Sequence, residues 1–222
     1  MNRYLDFEND IESIENLINN LDISKENYIS EKEKLTDKKK KLLNKLYSNL
    51  SAWEKVQVAR HANRPHAQDY INLIFKNIIY LHGDKKFADD SAVIGCFGEI
   101  SDHSVMIIGT EKGNSMESRI KHNFGMAKPE GYRKAQRLMS IADKFNMPII
   151  TFVDTAGAFP GKDAEERGQS ESIASSIQTS LQVGSPIISI IIGEGGSGGA
   201  IALATADKVL MLEHSIYSVI FT

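Results

Sequence analysis

The residues best placed to do chemistry form one short run, Gly193-Glu194-Gly195-Gly196-Ser197-Gly198-Gly199-Ala200. It lies between an apolar stretch that reads as a buried strand and a small-residue stretch that reads as a helix. Glycine lets a backbone approach a ligand closely and take up positive φ. The first turn of a helix carries unpaired N–H groups and a partial positive charge. Together they describe an anion site or, if the charge develops during a reaction, an oxyanion hole. Three readings compete. A phosphate-binding P-loop requires Lys and then Ser or Thr after the glycines, where Ala200-Ile201 stand. A nucleophile elbow, G-x-S-x-G, is present in form around Ser197. Asp207 and His214 would complete a Ser, Asp, His order, although both follow within one helix and one strand. The third reading is tight packing of helix on strand, with glycine merely saving space.

A second loop, Asp154-Thr155-Ala156-Gly157-Ala158-Phe159-Pro160-Gly161, follows the apolar run 148–153. Gly and Pro there fix a turn at the C-terminal end of a strand, where open α/β sheets bind ligands. It leads into Ala164-Glu165-Glu166-Arg167-Gly168-Gln169-Ser170-Glu171. Glu165 and Glu166 have the chemistry of an acid–base pair, but at a helix start they also complement the dipole, and that reading is preferred. Arg167 either holds an anionic group of a substrate or balances a carboxylate. A third cluster, residues 119–134, is basic and loop-like and carries Pro129-Glu130-Gly131 before a helix. It reads as a solvated loop or as a contact for an anionic ligand or partner. His122 alone decides nothing.

These loops need elements to hold them. Up to about residue 90 the chain reads as helices. Leu5, Ile11, Ile14, Ile18 and Leu21 recur at three- and four-residue steps. A second helix is expected over 31–50, with Lys38 to Lys41 on a solvated face diluted by Glu31, Glu33 and Asp37. A third follows Asp69, burying Ile71, Ile74, Phe75, Ile78 and Ile79. No later segment is obviously reserved to cover the first stripe. Residues 1–60 are therefore expected to form a helical arm that packs against another subunit, ahead of a domain over 61–222. After Asp90 short apolar runs alternate with helical ones. Strands are expected over 92–100 and 104–110, joined at Ser101-Asp102-His103, and over 148–153, 187–192, 208–212 and 216–221. Helices are expected over 131–145, 164–182 and 197–205. Continuous apolar strands between helices imply an α/β domain with its sheet covered on both faces.

Composition narrows the classes. A formal net charge of -3 provides no whole-chain attraction to nucleic acid or membrane. The single cysteine, Cys96, excludes an internal disulfide and a cysteine-built zinc site, and suits the reducing cytoplasm. No apolar run has the length of a membrane span.

Five segments taken in order carry a resemblance: Asn-Phe-Gly-Met at 123–126, Pro-Glu-Gly-Tyr-Arg-Lys-Ala at 129–135, and the runs 154–161, 164–171 and 193–200. With Val58-Ala59-Arg60-His61 and the stretches 84–90 and 105–113, the sequence resembles the α subunit of bacterial acetyl-CoA carboxylase carboxyltransferase. The resemblance implies a crotonase-like superhelix of ββα turns. It implies transfer of a carboxyl group from carboxybiotin, carried by the biotin carboxyl carrier protein, to acetyl-CoA, giving malonyl-CoA for fatty-acid synthesis. Biotin would fall mainly to this subunit and the CoA thioester mainly to a β partner in an α₂β₂ assembly, working with biotin carboxylase. No covalently bound cofactor is implied, and the zinc is expected on the β partner. The oxyanion hole would be formed by the N–H groups of Gly198 and Gly199. Gly157, Ala158, Gly161, Gly195, Gly196 and Arg167 would line the substrate site, and Ser197 would be a bystander. The sequence departs from the family at Gly109-Thr110-Glu111-Lys112-Gly113, usually Gly-His-Gln-Lys-Gly, and at Ala156, usually Pro. It also ends after Ile220-Phe221-Thr222, where the family continues with Ser-Pro-Glu-Gly and further helices. A C-terminal truncation of about a third is therefore expected, leaving a chain that alone is poorly soluble or dependent on its partner and shows little or no carboxyl transfer. The rivals are a Clp-type serine peptidase using Ser197 and a non-catalytic remnant.

Overall fold

A computed structural model of the chain describes residues 4–219. The chain divides into two compact units, Met1–His61 and Ala62–Thr222.

The first unit contains α1 (Asn9–Asn19), α2 (Tyr28–Tyr47) and α3 (Ala52–Ala59). The stripe on α1 does find cover, which corrects the expectation that no later segment serves it. α1 packs along α2, and Ile11 and Ile14 are buried. The Tyr47 hydroxyl donates to the Glu8 carboxylate at 2.6 Å, Phe7 meets the Tyr47 ring edge-on, and Lys39 pairs with Glu15. α2 itself buries none of its residues; Lys38, Lys40 and Lys41 are exposed, while Lys39 is the one turned to α1. α3 opens on a capping box, with Ser51 accepting from the Glu54 N–H and Glu54 from the Ser51 N–H.

The second unit begins with α4 (Ala67–Ile74) and β1 (Lys76–Tyr80). The helix expected to continue through Ile79 stops at Ile74. Phe75 turns extended (φ -106, ψ 154), and Ile79, 62% exposed, belongs to a strand instead. The spacing of Ile71, Ile74 and Ile78 does not itself distinguish the two, and the run Ile78-Ile79-Tyr80 suits a strand once a neighbouring edge is free. That edge belongs to β2 (Val93–Ile100), which forms a hairpin with β3 (His103–Thr110). Ser101 and Asp102 turn it with φ of 46° and 65°, the twist a tight hairpin favours.

There follow α5 (Met116–Lys121), α6 (Pro129–Lys144), β4 (Ile149–Thr155), α7 (Lys162–Glu166), α8 (Gln169–Gln182), β5 (Ile187–Gly196), α9 (Ser197–Ala204), β6 (Lys208–Met211) and β7 (Ile216–Ser218). The single helix expected over 164–182 is two, broken at Gly168, whose φ is 83°. The strand expected to end at 192 continues into the glycine run, to Gly196. The last strand spans Ile216–Ser218, and residues 220–222 lie outside the described residues.

The seven strands form one sheet in the order β1-β2-β3-β4-β5-β6, with β7 also on β5. The hairpin is antiparallel, and β3 to β6 run parallel. On one face, Leu138 and Met139 of α6 and Leu203 of α9 pack over Met106, Ile108, Ile149 and Ile191. On the other, Ile71 of α4 and Phe75 pack on Cys96, Ile107, Phe152 and Ile192. The alternation of Met106 and Ile108 against Ile107 is the strand period carrying both cores.

β5 changes partner midway, pairing with β6 at Ile188 to Ile191 and with β7 at Glu194 to Gly196. Arg64 closes the gap. Its Nε donates to the Ile192 carbonyl at 2.5 Å, and its Nη2 reaches the Glu213 carbonyl and the Ser215 hydroxyl. The C-terminal half of β5, which leads into the glycine run, is thereby held from both edges.

Candidate active site

β4 and β5 are parallel neighbours, in register from Ile149 opposite Ile187 to Val153 opposite Ile191, and Thr155 meets Gly195 after an irregularity. Their C-terminal ends therefore deliver both glycine-rich loops to one place. The loops touch backbone to backbone. A Cβ on Gly196 would lie 2.1 Å from the Ala156 carbonyl oxygen, and one on Gly199 would lie 2.5 Å from the Gly157 carbonyl carbon and 2.6 Å from the Ala158 nitrogen. Glycine is required at both points by contact, whatever else the loops do. Gly198 differs, because its nearest neighbour would be Ile173 at 3.7 Å. Gly195 faces the Tyr217 ring and Gly161 the Phe159 ring. Thr155 braces the turn from inside, its hydroxyl donating to the Gly157 carbonyl and accepting from the Gly157 N–H.

α9 starts at Ser197, directly after β5. Its first-turn N–H groups, those of Gly198 and Gly199 among them, have no carbonyl one turn earlier in the helix to bond. The junction is sharp, and Ser197 has a φ of 52°, unusual for a residue with a side chain. Of the expected site residues, Gly157, Ala158, Gly196 and Gly199 are brought into contact, with Gly195 and Gly198 beside them in the chain. Arg167 is engaged elsewhere. Its guanidinium binds the buried Glu130 carboxylate at 2.6 Å and Asp163 at 3.3 Å, and it stacks over the Phe87 ring. The hydrogen bond to Glu130 is the leading cause that raises its pKa further.

Beneath the loops lies a charged cluster that sequence reasoning missed. The Lys112 ammonium sits 2.7 Å from Asp154 Oδ1 and 2.7 Å from Glu194 Oε2. Asp154 Oδ1 also accepts the Glu194 N–H at 2.8 Å, while the Asp154 N–H donates to the Thr110 hydroxyl. Asp154 and Glu194 are buried. One lysine thus ties the root of one glycine loop to the root of the other. The signal was visible as a charge ending an apolar run, at Asp154, and a charge inside a glycine run, at Glu194. The turn 123–125 leans on the same lysine. Asn123, Phe124 and Gly125 all have positive φ, and a Cβ on Gly125 would lie 2.7 Å from Lys112 Cγ. Asp90 secures that turn by accepting from the Asn123 side chain and the Lys128 N–H. Burial pushes the Asp90 carboxyl above its usual range.

The nucleophile-elbow arrangement does not assemble. Asp207 accepts the N–H of Ile187, the first residue of β5, whereas Ser197 follows the last. A ten-residue strand, about 30 Å, separates the two ends. Among the described residues no group of three or more His, Cys, Asp or Glu side chains is arranged to hold a metal ion. No helix of the described residues is long and apolar enough to cross a membrane.

Comparison with known proteins decides the lineage. Residues 4–222 match the family described as acetyl co-enzyme A carboxylase carboxyltransferase-like. The chain is 55% identical over 224 residues to the acetyl-coenzyme A carboxylase carboxyl transferase subunit alpha of Gluconacetobacter diazotrophicus, covering 99% of this chain and 70% of that one. This chain belongs to the carboxyltransferase α-subunit family. The family's α subunit from Jannaschia sp. is 62% identical over 179 residues, with 81% of this chain and 56% of the relative covered. Among solved structures, the transcarboxylase 12S core superposes with a TM-score of 0.59 at 21% identity, over 73% of this chain and 32% of that one. The shared fold is the crotonase-like α/β fold of carboxyltransferases, as the resemblance implied.

Proposed function

We propose that the paired glycine loops are the half-site at which this α subunit handles carboxybiotin. The substrate is presented by a carrier protein and completed by a β subunit that supplies the CoA thioester site. When carboxybiotin gives up its carboxyl group, negative charge develops on the ureido oxygen. The N–H groups of Gly198 and Gly199, fixed at the start of α9, meet that charge without reorganising. Gly157 and Ala158, pressed against Gly199, set the opposite wall. No side-chain nucleophile takes part, in keeping with the separation of Asp207 from Ser197. The acceptor is acetyl-CoA and the product malonyl-CoA, the compartment is the cytoplasm, and the zinc of the assembly belongs to the β subunit. The observation that carries this reading is the convergence, in a member of this family, of an open helix start with a second backbone loop at the ends of adjacent parallel strands.

The test is reconstitution. This chain mixed with a carboxyltransferase β subunit is expected to form malonyl-CoA from acetyl-CoA in proportion to carboxylated carrier. Absence of product, while a longer relative of the family is active with the same β subunit, would overturn the proposal. Stoichiometric labelling of Ser197 by a fluorophosphonate would do so in favour of the peptidase reading.

A further inference from the structure

The second glycine loop is fastened at two points. Thr155 braces it where it leaves β4. The next three residues, Ala156, Gly157 and Ala158, are the ones pressed onto Gly196 and Gly199. Their side chains are a methyl group or nothing, so they cannot anchor themselves. Their exit is fixed at Phe159, through its backbone. The Phe159 N–H donates to the Ala127 carbonyl at 3.0 Å. The Phe159 carbonyl accepts from Gln169 Nε2 at 3.0 Å, and the same nitrogen donates to the Ala127 carbonyl at 2.9 Å. Gln169 is the first residue of α8 and only 3% exposed. One buried amide therefore ties the end of the loop both to the segment before α6 and to the start of α8.

The chemistry of the amide defines its part. Both partners are carbonyls, which only accept, so the nitrogen must face them. A hydrocarbon at 169 could make neither bond. Oε1 is buried with no donor among the described residues, so the side chain acts through its nitrogen alone. The Phe159 ring has a hold of its own, with the Lys128 ammonium 4.7 Å from its centroid. That contact fixes the ring and leaves the carbonyl free to turn. Gln169 fixes the carbonyl, one residue from Ala158. We propose that Gln169 is a positioning residue for carboxyl transfer, setting where Gly157 and Ala158 meet Gly199, an inference that rests on the carboxybiotin reading of the loops. Reacting groups must be held to within about 0.5 Å, and a misplacement of about 1 Å costs as much as a hundredfold in rate.

The test compares the full chain with Gln169→Leu and Gln169→His, each assembled with a carboxyltransferase β subunit and supplied with acetyl-CoA and carboxylated carrier. In Gln169→Leu, kcat per assembled complex is expected to fall by about tenfold or more, while the KM for acetyl-CoA, bound by the partner, stays at the parent value. A role in folding alone would lower the yield of complex and leave its kcat untouched. Gln169→His restores one N–H donor and should recover part of the lost kcat. Amide hydrogen exchange on the isolated full chain gives a readout free of the reaction. In Gln169→Leu the amides of residues 157–159 should exchange about tenfold faster or more, with those of β4 and β5 unchanged. Should neither variant fold, the unmodified chain decides, since its Gln169 side-chain amide protons are expected to be protected from exchange together with the Phe159 N–H. Parent kcat in an assembled Gln169→Leu complex, a histidine variant no better than leucine, unchanged exchange at 157–159, or an unprotected Gln169 amide would overturn the inference. A parent complex that transfers no carboxyl group would count instead against the proposed function, and the exchange rates would then decide on the clamp alone.

Discussion

At the scale of single residues, Lys112 is the side chain on which the site geometry depends. It neutralises two buried carboxylates that belong to different loops, and its stem supports Gly125. Removing one partner of a buried ionic cluster leaves the others uncompensated, a loss of about 3 kcal/mol. Lys112→Met keeps the stem and deletes the charge, so urea unfolding should report a loss of that order, with part recovered in Lys112→Met, Glu194→Gln. A single variant within about 0.5 kcal/mol of the parent would show that the cluster is incidental. Much of the site was legible at this scale. The glycines stood out because nothing but close backbone approach or unusual φ explains so many in a row. What the sequence could not show was which glycines yield to contact and which are open. Gly199 is filled by another loop's backbone and Gly198 is not, a difference set by a neighbour some forty residues away in the chain. Arg167 likewise resolved only when Glu130 came beside it.

Elements were legible where one period ruled and illegible where two overlapped. The hairpin of β2 and β3 and the parallel strands β4 and β5 followed from their apolar runs. The helix over-extended from Ile74 to Ile79 because isoleucines at mixed spacing satisfy helix and strand alike. α8 hid its inner face for a different reason. Its buried positions are Gln169, Ser172, Ser176 and Ser180, polar residues of which Ser172 and Ser180 return hydrogen bonds to the Gln169 and Ser176 carbonyls of their own helix, while Gln169 donates to the Ala127 and Phe159 carbonyls. Small side chains there let α8 pack closely on α6. The break before α8 is at Gly168, where a Cβ would meet no atom nearer than 3.7 Å. Its glycine is needed for φ alone. Gly168→Ala should therefore cost about 1 kcal/mol by thermal or urea unfolding and leave carboxyl transfer intact. A loss several times larger would mean that Gly168 serves packing rather than conformation.

For the whole molecule, two units divide the work. The unit Ala62–Thr222 holds the sheet and both glycine loops. In the unit Met1–His61, α1 and α2 bury Ile11 and Ile14 while Leu17, Ile29 and Trp53 stay exposed. Those exposed apolar residues are what an assembly element would present, and we expect deletion of residues 1–61 to leave a soluble, cooperatively unfolding core with weakened association. The same oligomer by light scattering would contradict that role. The central claim is that the junction of β5 and α9 is chemical machinery and not only a packing device. Turnover of Gly199→Ala, assayed with the β subunit and with assembly verified, tests it most directly. The added methyl must displace Gly157 and Ala158, and with them the N–H groups proposed to meet the developing charge. The expected result is a fall in carboxyl transfer of about a hundredfold with assembly unchanged, and unchanged turnover in an assembled complex would contradict the claim.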